Sequence, residues 1–220
     1  MNKINIAIVG PSGAGKSTIS DLLAIKLDYI HLDTGAMYRT VAYMAIKNNI
    51  SLDDEKSLVE LIDSIEFKQE RDGTILCNGI DISKEIRQNE ISMAASKVSS
   101  LNGVRKQLVS LQKRVAAPKG YIVDGRDICE VVLPDAEVKV YLTASSEERT
   151  RRRIEQNKQK GIESDYESIK KTIEDRDYQD MHRAFSPLRQ AQDATLIDSS
   201  NMSIEEVFEL LYNMALKKLN

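Results

Sequence analysis

Residues 10–17 read Gly10-Pro11-Ser12-Gly13-Ala14-Gly15-Lys16-Ser17, a full match to G-x-x-x-x-G-K-[ST]. Before it lies an apolar run, Ile4, Ile6, Ala7, Ile8 and Val9. After it comes a stretch in which Ile19, Leu22, Leu23 and Leu27 share a helical face. Strand, glycine-rich loop and helix in that order give the motif its mechanism. The glycines let the backbone approach a ligand, and the loop N–H groups join the free amides of the helix start in facing one anion. A helix N-terminus alone contributes about 0.3–1 kcal/mol per charge. Several amides plus the Lys16 ammonium are therefore needed to hold a polyphosphate. Ser17 brings a hydroxyl suited to Mg²⁺ beside the phosphates. The segment is expected to be a nucleoside triphosphate site.

The rest of the chain alternates strand and helix. Helix one is expected over about Lys16 to Leu27, and Tyr29-Ile30-His31-Leu32 reads as a strand ending at Asp33-Thr34-Gly35. Met37, Val41, Met44 and Ala45 mark a helix ending near Asn48, and another covers about Asp53 to Ser64. The texture then changes. Asp72-Gly73 and Asn78-Gly79 flank Thr74 to Cys77, the signature of a small three-stranded meander over about 66–83. Helical spacing resumes over about 89–100 and 102–117, until Pro118-Lys119-Gly120 breaks it. Tyr121 to Asp124, Val138 to Leu142 and Thr195 to Ile197 read as buried strands. Ser145 to Glu148 and Ser203 to Glu206 fit capping boxes that open helices, and a further helix starts near Asp165. The expected fold is α/β, a three-layer P-loop NTPase architecture with a five-stranded parallel sheet. To it are added the inserted antiparallel meander with its helices and a helical lid.

The 220 residues carry a formal net charge of −3, which argues against a general nucleic-acid or anionic-membrane binder. No apolar run approaches the roughly 18 residues of a membrane span, and with the N-terminus leading straight into a strand no signal peptide is expected. Two cysteines, Cys77 and Cys129, lack metal-ligand spacing and read as small buried hydrophobes in a reducing compartment. Cytoplasmic location is expected, with no nucleic-acid or membrane partner.

In a parallel sheet, ligands bind at the carboxyl ends of the strands. That edge collects residues 10–17, Asp33 to Arg39, and Asp124-Gly125-Arg126-Asp127. Asp124 and Asp33 end strands, where a carboxylate either turns the chain or stands near a metal. Tyr166, Ile169 and Ile173 share a helical face that continues through Arg176, Asp180 and Arg183. A solvated charge stripe would lie opposite the apolar one; continuing it implies a charged cleft. Arg149, Arg151, Arg152 and Arg153, with Lys158 and Lys160, concentrate positive charge on one helix and its exit, as a lid closing over phosphates would. His31 falls inside a strand, a structural position, and His182 lies beside Arg183. Neither has a Ser or Cys partner for nucleophilic catalysis.

With these residues assembled, the chain resembles the bacterial cytidylate kinase family over nearly its whole length. The resemblance rests on residues 10–18 through Thr18, on Leu32-Asp33-Thr34-Gly35-Ala36-Met37-Tyr38-Arg39, and on Asp124-Gly125-Arg126-Asp127. It rests also on Ser146-Glu147-Glu148-Arg149, on Arg176-Asp177 with Asp180 and Arg183, and on Ser186-Pro187-Leu188. It implies an ATP- and Mg²⁺-dependent kinase of CMP and dCMP, expected as a monomer. Its core would be 1–33 and 103–220, with a lid over about 147–163 and a monophosphate-binding region over 34–102. It further implies that Arg39, Arg126 and Arg183 hold the acceptor phosphate, with Thr34 and Tyr38 lining its pocket and Arg176 and Asp180 facing the sugar. Ser96, Arg105 and Asp127 would read cytosine, whose amino donor and N3 and O2 acceptors complement a carboxylate plus a guanidinium. Lys16, Arg126, Arg149, Arg153 and Arg183 would be the catalytic cations, and Ser17 the metal contact. The chain departs from the family at Ile128-Cys129-Glu130, where an apolar residue, Gly and Thr are common; this brings a thiol and a carboxylate near the site.

Other P-loop kinases acting on UMP, AMP or a non-nucleotide acceptor share the first motif. A GTPase-type switch would need Asn-Lys-x-Asp and Asp-x-x-Gly. Asn157-Lys158-Gln159-Lys160 lacks the Asp, and no Asp-x-x-Gly occurs. A nucleic-acid-dependent ATPase is disfavoured by the charge balance.

Overall fold

The computed structural model describes residues 2–159 and 161–219; Lys160 lies outside them. Five strands form one parallel sheet in the order β2-β6-β1-β7-β8: β1 (Ile6–Val9), β2 (Ile30–Asp33), β6 (Tyr121–Gly125), β7 (Val138–Thr143) and β8 (Thr195–Asp198). All four residues of β1 are buried, as a central strand covered on both faces requires.

Strand alternation divides the core in two. Ile6 and Ile8 point to one side, where they join Leu23 of α1 (Lys16–Leu27), Ile122, Val140 and Leu211 of α8 (Ile204–Leu219). Ala7 and Val9 point to the other. There they join α2 (Thr34–Lys47), α3 (Glu55–Ser64), α4 (Asn89–Val98) and α5 (Asn102–Ala116) through Met37, Leu58, Ile91 and Leu108. The expected three-layer α/β fold is what the residues build.

The meander is present as β3 (Phe67–Gln69), β4 (Ile75–Cys77) and β5 (Ile80–Asp81), all antiparallel. Asn78 and Gly79 both have positive φ, 50° and 77°. That is the backbone of a tight hairpin turn, and it explains why this dipeptide stands between β4 and β5. Ile75 and Cys77 turn inward and tie the small sheet to the same core as α2.

One boundary differs from the reading of the sequence. No loop separates β2 from α2, because Asp33 ends the strand and caps the helix by accepting from the Ala36 N–H at 2.9 Å. The chain also forms α6 (Ser146–Gln159) and α7 (Tyr166–His182). Asp165 caps α7 through the Ser168 N–H at 2.8 Å. Ser203 and Glu206 form a reciprocal capping box before α8, with bonds of 2.8 and 3.1 Å.

Candidate active site

A cleft of about 1040 Å³ opens at the carboxyl edge of the sheet. Ser12 to Thr18, Thr34, Tyr38, Arg39, Ser96, Arg105, Arg126, Asp127, Arg153, Arg176, Asp180 and Arg183 all line it. Residues scattered over the chain are thus brought to one space. Gly10, Pro11 and Arg149 do not line the cleft; they hold its wall in place. A Cβ on Gly10 would sit 1.9 Å from the Leu142 carbonyl oxygen, so no other residue fits where β1 turns into the loop. The Pro11 carbonyl accepts from Lys16 Nζ at 2.8 Å.

Cations dominate the cleft. Burial and then the Arg126 charge bring the Lys16 ammonium down to about 7. Burial and Arg126 likewise bring Arg176 down to about 10. Buried cations that also repel one another mark a site suited to anions. Two donors point the same way: Arg39 Nε and Arg183 Nη2 are buried without a hydrogen-bond partner. Leaving a buried donor unmade costs about 1–3 kcal/mol, a cost that an arriving phosphate would remove.

Carboxylates fix where these cations stand. Asp33 Oδ2 accepts from Arg39 Nη2 at 2.7 Å, and Asp180 Oδ2 accepts from Arg126 Nε at 2.7 Å. Burial pushes Asp180 up, but Arg126, Arg176 and Arg183 outweigh it and hold the carboxyl below its usual range. Burial raises Asp33 as well, but Arg39, His31 and the Ala36 N–H prevail and bring it to about 2. The α7 face that the sequence singled out is indeed turned inward: Ile173, Asp177 and Asp180 are buried on it, with Arg176 and Arg183 partly so.

Farther along the cleft, the buried pair Arg105 and Asp127 are joined by a short ion pair from Nη2 to Oδ2. Arg105 Nη1 also donates to the Ser99 carbonyl at 3.2 Å, and its guanidinium lies 5.8 Å from the Tyr38 ring centre. Burial raises the Tyr38 hydroxyl to about 12, so it stays a neutral donor. Thr34 Oγ1 donates to the Asp124 carbonyl at 2.8 Å, tying the start of α2 to the end of β6.

On the opposite wall, Ser17 Oγ donates to Asp124 Oδ2 at 3.0 Å. A hydroxyl beside a carboxylate is the donor set Mg²⁺ uses when a nucleotide supplies its other oxygens. Among the described residues no group of three or more His, Cys, Asp or Glu converges on one point, so the phosphates and water would complete the shell.

Arg149, expected as a lid arginine facing the transferring group, is turned inward. It is 5% exposed, with Nε on the Ala144 carbonyl at 2.9 Å, Nη1 on the Ser12 carbonyl at 3.1 Å, and Nη1 2.6 Å from Asp177 Oδ2. These bonds tie it to the loop and to α7, which makes it a brace between them. Arg151, Arg152 and Arg153 of the same run line the cleft, and Arg152 is tethered there. Its Nη2 donates to the Ser199 carbonyl at 2.7 Å, past the end of β8. The arginine run on α6 held the signal for this, but its spacing could not say that Arg149 alone would turn away from the cleft.

The departure at Cys129-Glu130 leaves the cleft unchanged. Glu130 is exposed and accepts from Arg189 Nε at 2.8 and 3.1 Å, away from the phosphate loop. An exposed pair of this kind contributes about 0–1 kcal/mol. Glu130→Gln is therefore expected to leave ATP affinity within about twofold of the parent, and a larger loss in a nucleotide titration would put this carboxylate in the site. Cys129 is 3% exposed beneath β1, and burial pushes its thiol up to about 12. Cys77 is buried in the meander. Neither thiol is expected to react with a disulfide reagent until denaturant is added; rapid native labelling that nucleotide suppresses would contradict this.

The family described as cytidylate kinase matches residues 6–217. A cytidylate kinase of Caldicellulosiruptor bescii is 51% identical over 99% of this chain and 97% of its own. One from Enterococcus faecalis is 45% identical over 99% and 98%. One from Streptococcus pneumoniae is 44% identical with both chains fully covered. Among solved structures, an uncharacterized protein from Eubacterium ventriosum superposes with a TM-score of 0.55 at 10% identity, covering 98% of this chain and 99% of that one, which speaks to the fold alone. With a glycine-rich loop, an inward α7 charge stripe and relatives matching from end to end, the chain belongs to the cytidylate kinase family.

Proposed function

We propose that this protein transfers the γ-phosphoryl group of ATP to CMP or dCMP, giving ADP and the corresponding diphosphate. The single observation that carries the reading is the set of cations around one cleft, Lys16, Arg39, Arg126, Arg176 and Arg183, two of them holding unpartnered buried donors.

The donor ATP lies on residues 10–18, with its phosphates on the loop amides and Lys16. Ser17, with Asp124 behind it, would hold Mg²⁺, which when bound would neutralise charge on the phosphates. The acceptor phosphate rests on Arg39, Arg126 and Arg183, beside Thr34 and Tyr38. Arg176 and Asp180 face the sugar. Ser96, Arg105 and Asp127 read the base: the Asp127 carboxylate accepts from the cytosine amino group, whereas uracil would set a carbonyl oxygen against it. Arg153 on α6 closes over the reacting groups and keeps water out. Arg149 supports them from behind by holding the loop at Ser12. No side chain forms a covalent intermediate; catalysis is positioning and charge neutralisation.

In this reading 1–33 and 103–220 form the kinase core, 147–163 is its lid, and 34–102, with the meander, is the part that grips the monophosphate. The protein works as a monomer in the cytoplasm, without nucleic-acid or membrane partners. No helix among the described residues is long and apolar enough to cross a membrane. Initial rates over CMP, dCMP, UMP and AMP at fixed MgATP test the proposal. Cytidine monophosphates should give the highest kcat/KM; preference for UMP or AMP would defeat the assignment.

A further inference from the structure

Below the donor side of the cleft lies a buried group that the proposed reaction does not use. His31, on β2, is 7% exposed and sits diagonally across the sheet from Asp124 on β6, where His31 pairs with Ile122 and Asp33 with Asp124. Its two ring nitrogens face two carboxylates from different elements. Nδ1 is 2.7 Å from Asp21 Oδ1 on α1, and Nε2 is 2.9 Å from Asp124 Oδ1. An ionised carboxylate only accepts hydrogen bonds, so a ring between two of them donates from both nitrogens. Asp124 then has one oxygen occupied from below by the ring and the other, Oδ2, bonded to Ser17 Oγ at 3.0 Å.

We propose that His31 is a positioning residue for the metal side of the donor site, holding the Asp124 carboxylate in the rotamer that keeps the Ser17 hydroxyl turned toward Mg²⁺. The proposal rests on the kinase reading above. A carboxylate at a strand end has two equivalent oxygens and a soft terminal torsion. Besides the ring on Oδ1, its side-chain partner among the described residues is the Ser17 hydroxyl, so without His31 the plane of the carboxylate would rest on that one bond. Asp21 completes the clamp. Its side chain is 57% exposed, which leaves it little structural work, yet it fixes the far edge of the ring. Outer partners of this kind typically change metal affinity by about 10–100-fold when removed. Burial alone would strip the proton from the ring, but its bonds to Asp124 and Asp21 outweigh burial and raise His31 to about 10.

The test compares binding of a non-hydrolysable ATP analogue with and without Mg²⁺ by calorimetry, for the parent, His31→Leu, His31→Gln and Asp21→Ala. The ratio of the two affinities isolates the metal from the nucleotide. The expected result is a fall in that ratio of about tenfold for His31→Leu. Affinity without Mg²⁺, and affinity for CMP, should be unchanged within twofold. Gln, which keeps one donor for Asp124, should recover part of the loss. Asp21→Ala, at an exposed position, should fold normally and lower the ratio about threefold, so it carries the test if His31→Leu does not fold. An unchanged ratio in the folded variants overturns the proposal. So does a raised ratio, which would mean that the ring merely offsets the Asp124 charge. Failure of the parent protein to phosphorylate CMP would instead strike the kinase reading and would leave the measured ratio standing by itself.

Discussion

Arg126→Met is expected to lower kcat for CMP phosphorylation about 10³-fold while the protein stays folded. In the proposed reading Arg126 stands where donor and acceptor meet: after burial its charge is the next cause lowering both Lys16 and Arg176, and its Nε is bonded to Asp180. A guanidinium so placed favours charge spread over the transferring group more than charge on either ground-state phosphate, so the loss should fall on kcat more than on KM. The substitution also leaves Asp180 without its closest cation, and a bare buried carboxylate would repel the incoming phosphate. The double variant Arg126→Met with Asp180→Asn separates the two effects. If the double variant regains more than about tenfold, repulsion by Asp180 dominates; if it regains little, the lost guanidinium does.

The second large effect concerns choice of base. Asp127→Asn should cut the preference for CMP over UMP by about 10²-fold, near the cost of leaving a buried polar group unpaired. The amide that replaces the carboxylate offers an N–H to the uracil carbonyl and withdraws one of two acceptors from the cytosine amino group. ATP affinity should not move, because Asp127 lies apart from the loop at residues 10–18. The same change breaks the buried pair with Arg105, and breaking such pairs costs about 3–5 kcal/mol in general. A lower Tm is therefore expected beside the altered preference. Equal losses for CMP and UMP would mean that Asp127 supports the fold and does not read the base.

Why some of this was legible in the chain and some was not follows from range. The phosphate loop, the capping residues and the Asn78-Gly79 turn are local devices, each needing only a few neighbours to define it. The α7 stripe was legible because a helix displays its period: Ile173 is apolar, and Arg176, Asp180 and Arg183 follow on the same face, so the change of chemistry along one face was visible without coordinates. What periodicity cannot state is a partner far away in sequence. Arg149 looked like a free lid cation because its tethers, Ser12 and Asp177, lie on other elements. His31 looked like a filler of β2 because Asp124 stands 93 residues away. Glu130 looked like a charge near the phosphates because the reach of Arg189 back to it is set by the chain following α7.

The central claim is that the glycine-rich loop and the arginine cluster serve one cavity, so that two phosphates bound there point at each other. A bisubstrate compound with adenosine and cytidine joined through a pentaphosphate measures this directly by inhibition kinetics and calorimetry. One molecule should bind per chain, with competitive inhibition against both ATP and CMP and affinity above that of either nucleotide alone. Competition with only one of the two, or binding of two molecules per chain, would contradict it.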